Sequence, residues 1–320
     1  MNIKKTEYAC VSMGSALLDF AFKVDQDLLD ELNLVKGQMH LIDENRSNDI
    51  FKRLSNISSE ITPGGSSANV AAGIACLGGK SAFMGSVGRD ENGTLYVDET
   101  RKSGVNMIVN EYDQLTGHAI TLITPDSERT FATHLGAALC FGENDVSQDT
   151  IMNSSILHIE GYMLEADFTY SACIKAMDTA LKYKTLISVD LSDPALINRI
   201  NKRFEFVLEK YVDIVFVNEE EAFAFTGVYQ IDALRELAKY ANLSIVKLGA
   251  QGSLISYQGN EYKIDPIKAN LVNTNGAGDM YAASIIYGIT SGLDIQESGN
   301  LASKNSALVV GQVGARLSKL

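Results

Sequence analysis

The run Asn273-Thr274-Asn275-Gly276-Ala277-Gly278-Asp279 leads directly into an apolar helical pattern over 280–289. Two glycines at a helix entry leave consecutive backbone N–H groups exposed, and those groups suit a cluster of anionic oxygens. Asp279 stands beside that anion hole. A carboxylate there would repel a phosphate laid directly on it, so the pairing makes chemical sense if Asp279 takes the proton of an alcohol attacking a phosphoryl group that the glycines hold. The same residues also read as a plain loop-to-helix turn, with the glycines supplying unusual backbone angles and Asp279 favouring the helix dipole.

Three other segments carry candidate chemistry. Gly64-Gly65-Ser66-Ser67-Ala68-Asn69 precedes a helix expected over 66–77. Ser66 could cap that helix, or Gly65 could admit a ligand to the backbone while Asn69 offers a donor and an acceptor to a substrate hydroxyl. Asn218-Glu219-Glu220-Glu221 closes an apolar strand and opens a helix. Its carboxylates cap the helix in one reading, and in the other Asn218 and Glu221 organise a hydrated Mg²⁺ near phosphates. Lys247-Leu248-Gly249-Ala250-Gln251-Gly252 ends another strand, where the glycines either admit a nucleotide or make a hairpin. Gly85-Ser86-Val87-Gly88-Arg89-Asp90-Glu91-Asn92-Gly93 reads first as a structural turn.

Several patterns are excluded. Gly79-Lys80-Ser81 resembles the end of a phosphate-binding P-loop, but Ile74 stands where its first glycine is required, and the segment joins helix to strand. Tyr281 occupies the third small position of the dinucleotide fingerprint. His40, His118, His134 and His158 are scattered, and Cys10, Cys76, Cys140 and Cys173 form no C-x-x-C pair, so a transition-metal site and a disulfide framework are not expected. A formal net charge of −13 argues against nucleic-acid and anionic-membrane surfaces. With no secretory or spanning segment legible, the cytoplasm is the expected location.

The elements that must position these residues follow from periodicity. Strands are expected over 8–13, 17–24, 38–42 and 81–87, with helices over 46–54, 66–77 and 92–103. Residues 105–133 alternate short strands and turns. From 155 onward strand and helix patterns alternate, the mark of a parallel sheet covered on both faces. The expected fold class is therefore α/β, a doubly wound, mostly parallel sheet in one domain over 1–320, carrying a small discontinuous β-lid from about 16–43 and 105–133.

Taken in order, Gly64-Gly65-x-x-x-Asn69, Gly85-x-x-Gly88-x-Asp90-x-x-Gly93, Asn218-x-x-Glu221 and Thr274-x-Gly276-Ala277-Gly278-Asp279 resemble the ribokinase-like carbohydrate kinase family, the PfkB group, over nearly the whole chain. The resemblance implies ATP- and Mg²⁺-dependent phosphorylation of a hydroxymethyl group on a sugar or nucleoside. It implies Asp279 as catalytic base and Gly276, Ala277 and Gly278 as anion hole. Asp19, Gly65 and Asn69 match the sugar-hydroxyl contacts, and Asn218, Glu221, Lys247, Gly249, Gly252 and Asn305 fall where the family handles Mg²⁺, phosphates and the ATP base. The stretch from Thr116 through Arg129 to Ala138 is most similar to adenosine kinases, in which the residue matching Arg129 sits near the transferring phosphate. The expected reaction is thus adenosine to AMP, a step of purine salvage, by a monomer or homodimer. The alternatives are a neutral-sugar kinase and a catalytically weak nucleoside-binding regulatory protein. Asn273 stands where the family usually has Asp, which puts a K⁺ site in doubt.

Overall fold

The computed structural model describes residues 3–126, 128–312 and 314–317. Its strands are β1 (Tyr8–Met13), β2 (Leu17–Lys23), β3 (Met39–Leu41), β4 (Ser59–Pro63), β5 (Ser81–Gly88), β6 (Asn106–Tyr112) and β7 (Gly117–Ile123). There follow β8 (Arg129–His134), β9 (Ser154–Glu160), β10 (Leu186–Asp190), β11 (Ile214–Asn218), β12 (Leu243–Lys247), β13 (Ser253–Tyr257) and β14 (Asn260–Ile264).

Nine strands form one sheet in the order β14-β13-β12-β11-β10-β9-β1-β5-β6. All neighbours from β12 to β6 run parallel, and the β13–β14 hairpin closes the other edge antiparallel. Every residue of β5 and β9 is buried, as central strands covered on both faces require. Successive side chains serve opposite cores. Val11, Leu157 and Val215 face one helical layer, while their neighbours Cys10, Ile156 and Ile214 face the other. In that second layer the helices Ser66–Cys76 and Ala277–Ser291 meet so closely that a Cβ on Gly73 would lie 2.6 Å from the Ala283 Cβ. Positions 66, 69 and 73 share one helical stripe, so this contact carries Ser66 and Asn69 toward Asp279.

A second sheet, ordered β3-β8-β7-β2-β4, stands over the carboxyl ends of the first. The helices Gln26–Glu31 and Glu44–Leu54 back it with Leu29, Ile50 and Leu54. Its boundaries differ from those expected. Residues 106–112 belong to the large sheet as edge strand β6, paired with β5, and 59–63, which carries no alternating apolar pattern, supplies β4 beside β2. The half-exposed β6 and the largely exposed β4 have too little one-sided burial to declare a sheet; only the backbone partner decides.

Candidate active site

Four strands end on polar side chains at one rim of the sheet: Glu160 closes β9, Asp190 β10, Asn218 β11 and Lys247 β12. Carboxyl ends of parallel strands are where an open α/β sheet binds ligands. Here they floor a cleft of about 1250 Å³, roofed by the second sheet and bounded by the turn 274–279.

Asp279 lies in the first turn of the helix Ala277–Ser291. Ser66 Oγ donates to its Oδ1 at 2.7 Å and Asn69 Nδ2 to its Oδ2 at 2.8 Å. Burial pushes its carboxyl upward; the two hydrogen bonds oppose that, the Asp190 carboxylate adds to it, and Lys247 offsets it. A carboxylate held at both oxygens and made more basic by burial suits proton abstraction from an alcohol. Ser66 does not cap its helix as one reading of the sequence had it. Gly65 takes the cap position, and the hydroxyl is spent on Asp279 instead.

The turn 274–279 is shaped by its glycines. Gly276 adopts φ +78°, and a Cβ there would lie 2.3 Å from the Ala315 carbonyl oxygen. The N–H groups of Gly278 and Asp279 make no backbone hydrogen bond among the described residues, as expected at a helix start open to the cleft. Lys247 Nζ sits 3.2 Å from where a Gly278 Cβ would stand. Any side chain at 278 would press on that ammonium and fill the anion hole. Gly278→Val is expected to lower kcat at least tenfold with a normal thermal midpoint, and steady-state kinetics beside a melting curve check it; unchanged kinetics would reduce the segment to a turn.

Lys247 bonds Asp190 at 2.9 Å in an ion pair with both side chains largely buried. Burial works against its charge, but Asp190 and then Glu221 outweigh it and hold the ammonium above its ordinary range. Glu221 is pushed up to about 7, by burial first and by Asp190 second. Both of its oxygens are engaged, accepting from the Asn218 N–H at 2.7 Å and Asn218 Nδ2 at 2.6 Å, while Asn218 Oδ1 accepts from the Glu221 N–H. The helix-capping reading of Asn218-x-x-Glu221 and its position facing the cleft therefore hold together.

Gly65 and Asn69 line the cleft, as does Asp19, which accepts a hydrogen bond from Thr121 on the second sheet. Gly249 has open space at its Cβ position, whereas Gly252 is required by the fold, since a Cβ there would lie 2.0 Å from the Ile264 carbonyl oxygen. Two expected residues stand elsewhere. Asn305 does not line the cleft: its amide donates to Ser284 Oγ between two helices, and Ser303, Ser306 and Ala307 form the wall there. Arg129 heads β8 and is not among the lining residues, although its charge reaches Asp19; Phe131 and Thr133 of the same strand face the cleft. Asn273 Oδ1 accepts from the Asn275 N–H at 3.0 Å and so braces its own loop.

Asp190, Glu160 and Arg316 lie outside every sequence motif described above. Glu160 accepts from the Ser15 N–H at 2.8 Å and the Ser67 N–H at 2.9 Å, tying the start of the second sheet to the helix Ser66–Cys76, whose Ser66 and Asn69 donate to Asp279. The signal for both carboxylates was present, since each ends an apolar strand. Among the described residues no three His, Cys, Asp or Glu side chains converge into a metal cage, and no helix is long and apolar enough to cross a membrane.

A carboxylate held at both oxygens beside an open helix start, with a buried Lys–Asp pair across it, can take an alcohol's proton next to a bound anion. The chain belongs to the pfkB family of carbohydrate kinases, whose model matches residues 42–320. It is 27% identical to the adenosine kinase of Saccharomyces cerevisiae over 95% of both chains. It is 29% identical to the 5-dehydro-2-deoxygluconokinase of Bacillus subtilis, covering 77% of this chain and 80% of the relative. Among solved structures it is similar to the adenosine kinase of Sinorhizobium meliloti, with a TM-score of 0.89 and 30% identity over 97% of this chain and 96% of that one. A probable sugar kinase of Rhizobium etli superposes with a TM-score of 0.90 at 28% identity, covering 97% and 95%.

Proposed function

We propose that this chain transfers the γ-phosphoryl group of ATP to the hydroxymethyl group of a nucleoside, with adenosine the leading acceptor and AMP the product. Asp279 accepts the hydroxyl proton as the oxygen attacks, and the turn 276–278, expected from sequence to donate throughout, stabilises charge on the phosphoryl oxygens chiefly through the open Gly278 N–H, since the Ala277 N–H donates to the Thr274 carbonyl at 3.3 Å. Lys247, fixed by Asp190, adds a cation beside that hole. Mg²⁺ fits here through water: Glu221 faces the cleft with its oxygens already engaged, and when bound the ion neutralises phosphate charge.

The observation that carries the acceptor reading is the wall above Asp279. Leu17, Met39, Leu41, Ala119, Phe131 and Leu139 line it, so the part of the acceptor lying there needs an apolar face more than a polyol's hydroxyls. A purine base has such a face, and its ribose still finds Asp19 and Asn69. The relationship to a 5-dehydro-2-deoxygluconokinase favours a sugar as the second reading.

An ADP-release screen with adenosine, other nucleosides, ribose, fructose and 5-dehydro-2-deoxygluconate tests this. Adenosine is expected to show the highest kcat/KM. A sugar preferred tenfold or more would overturn the acceptor and leave the kinase intact.

A further inference from the structure

Arg316 holds Asn69, and Asn69 holds Asp279. The guanidinium donates from Nε to Asn69 Oδ1 at 2.8 Å, from one terminal nitrogen to Thr100 Oγ1 at 3.1 Å and from the other to the Gly64 carbonyl at 3.1 Å. A side-chain amide has one accepting end and one donating end, while a guanidinium can only donate. Arg316 therefore fixes Asn69 with its oxygen toward the guanidinium and its NH₂ toward Asp279 Oδ2. These three acceptors are neutral; burial works against the guanidinium's charge, which acts first on the Tyr96 hydroxyl and then on the Asp279 carboxylate one amide away. Ala315, its neighbour, packs on Gly276, so the same short segment bears on both the anion hole and the carboxylate.

We propose that Arg316 is the positioning residue for the general base: through the Asn69 amide it locks one orientation of the Asp279 carboxylate and lends it positive field. The inference rests on the kinase reading of Asp279. The other charged groups facing Asp279 are Glu160 on β9, Asp190 on β10 and Lys247 on β12, and none of them touches Asn69. Arg316 itself also faces the Tyr96 hydroxyl, which burial pushes up to about 12 and so keeps neutral.

The test compares Arg316→Gln, Arg316→Lys, Asn69→Ala and the Asn69→Ala/Arg316→Gln double variant. Arg316→Gln should lower kcat about 10- to 100-fold with the KM for ATP within about twofold. Removing a cation raises the pKa of a nearby carboxylate, so the acid limb of kcat should move to higher pH in Arg316→Gln and stay in place in Arg316→Lys, which keeps the charge and loses the planar fork. If Arg316 acts through Asn69, the double variant should lose little beyond Asn69→Ala alone. Additive losses, or an unmoved limb in Arg316→Gln, overturn the proposal. Should Arg316→Gln fail to fold, Arg316→Lys decides, because wild-type kcat in that variant also overturns it. A carboxyl NMR titration of Asp279 reads the same field without turnover: a raised midpoint in the Gln variant supports the role of Arg316, and an unchanged one refutes it. Absence of any kinase activity in the unmodified protein would instead retire the kinase reading.

Discussion

Asp279→Asn should lower kcat by roughly 10² to 10⁴ and leave the Kd for ATP within about twofold, because a general base acts on the moving proton and not on nucleotide binding. The substitution is structurally mild. An amide at 279 can turn its oxygen to the NH₂ of Asn69, which Arg316 holds in place, and present its nitrogen to Ser66, whose hydroxyl rotates to accept. The variant should therefore melt like the parent. Single-turnover kinetics and nucleotide titration separate the two quantities, and near-normal turnover by a folded variant would remove Asp279 from its role.

Lys247→Met should be nearly as severe and fail differently. It takes away the cation beside the anion hole, so the KM for ATP should rise along with a fall in kcat of about 10². It also strands Asp190, whose side chain is 7% exposed, without its partner. Leaving one member of a buried pair uncompensated costs about 3–5 kcal/mol, whereas replacing both members by apolar groups is often neutral. Adding Asp190→Leu should thus restore the melting temperature and restore no activity. Recovery of both, or of neither, would show that the pair serves folding alone or that the site collapses for another reason.

The chain's motifs foretold these residues unequally. Gly276-Ala277-Gly278-Asp279 was legible because its chemistry is local: glycines that need their backbone angles, a helix start and a carboxylate lie within four consecutive positions. The capping box of Asn218 and Glu221 was legible for the same reason, since i,i+3 spacing at a helix start closes on itself. The parallel sheet followed from apolar runs alternating with amphipathic helices. The second sheet was legible only in outline, because membership of a half-exposed strand such as β6 or β4 is set by its backbone partner and leaves no periodic trace.

What the sequence by itself determined was the α/β architecture and the glycine-rich helix entry with its carboxylate, each written in short-range spacing. Tertiary structure alone decided what surrounds that carboxylate. Ser66 and Asn69 come from 213 and 210 residues away, and Arg316 reaches Asn69 across 247. Asp190 meets Lys247 because two strands that are not sheet neighbours end at the same rim. Asn305, assigned to the cleft by its place in the pattern, turned instead to Ser284, since which face of a helix meets a cavity depends on the helix packed beside it. Contacts of that range depend on how layers stack, and a stacking angle has no signature in the order of residues along one element.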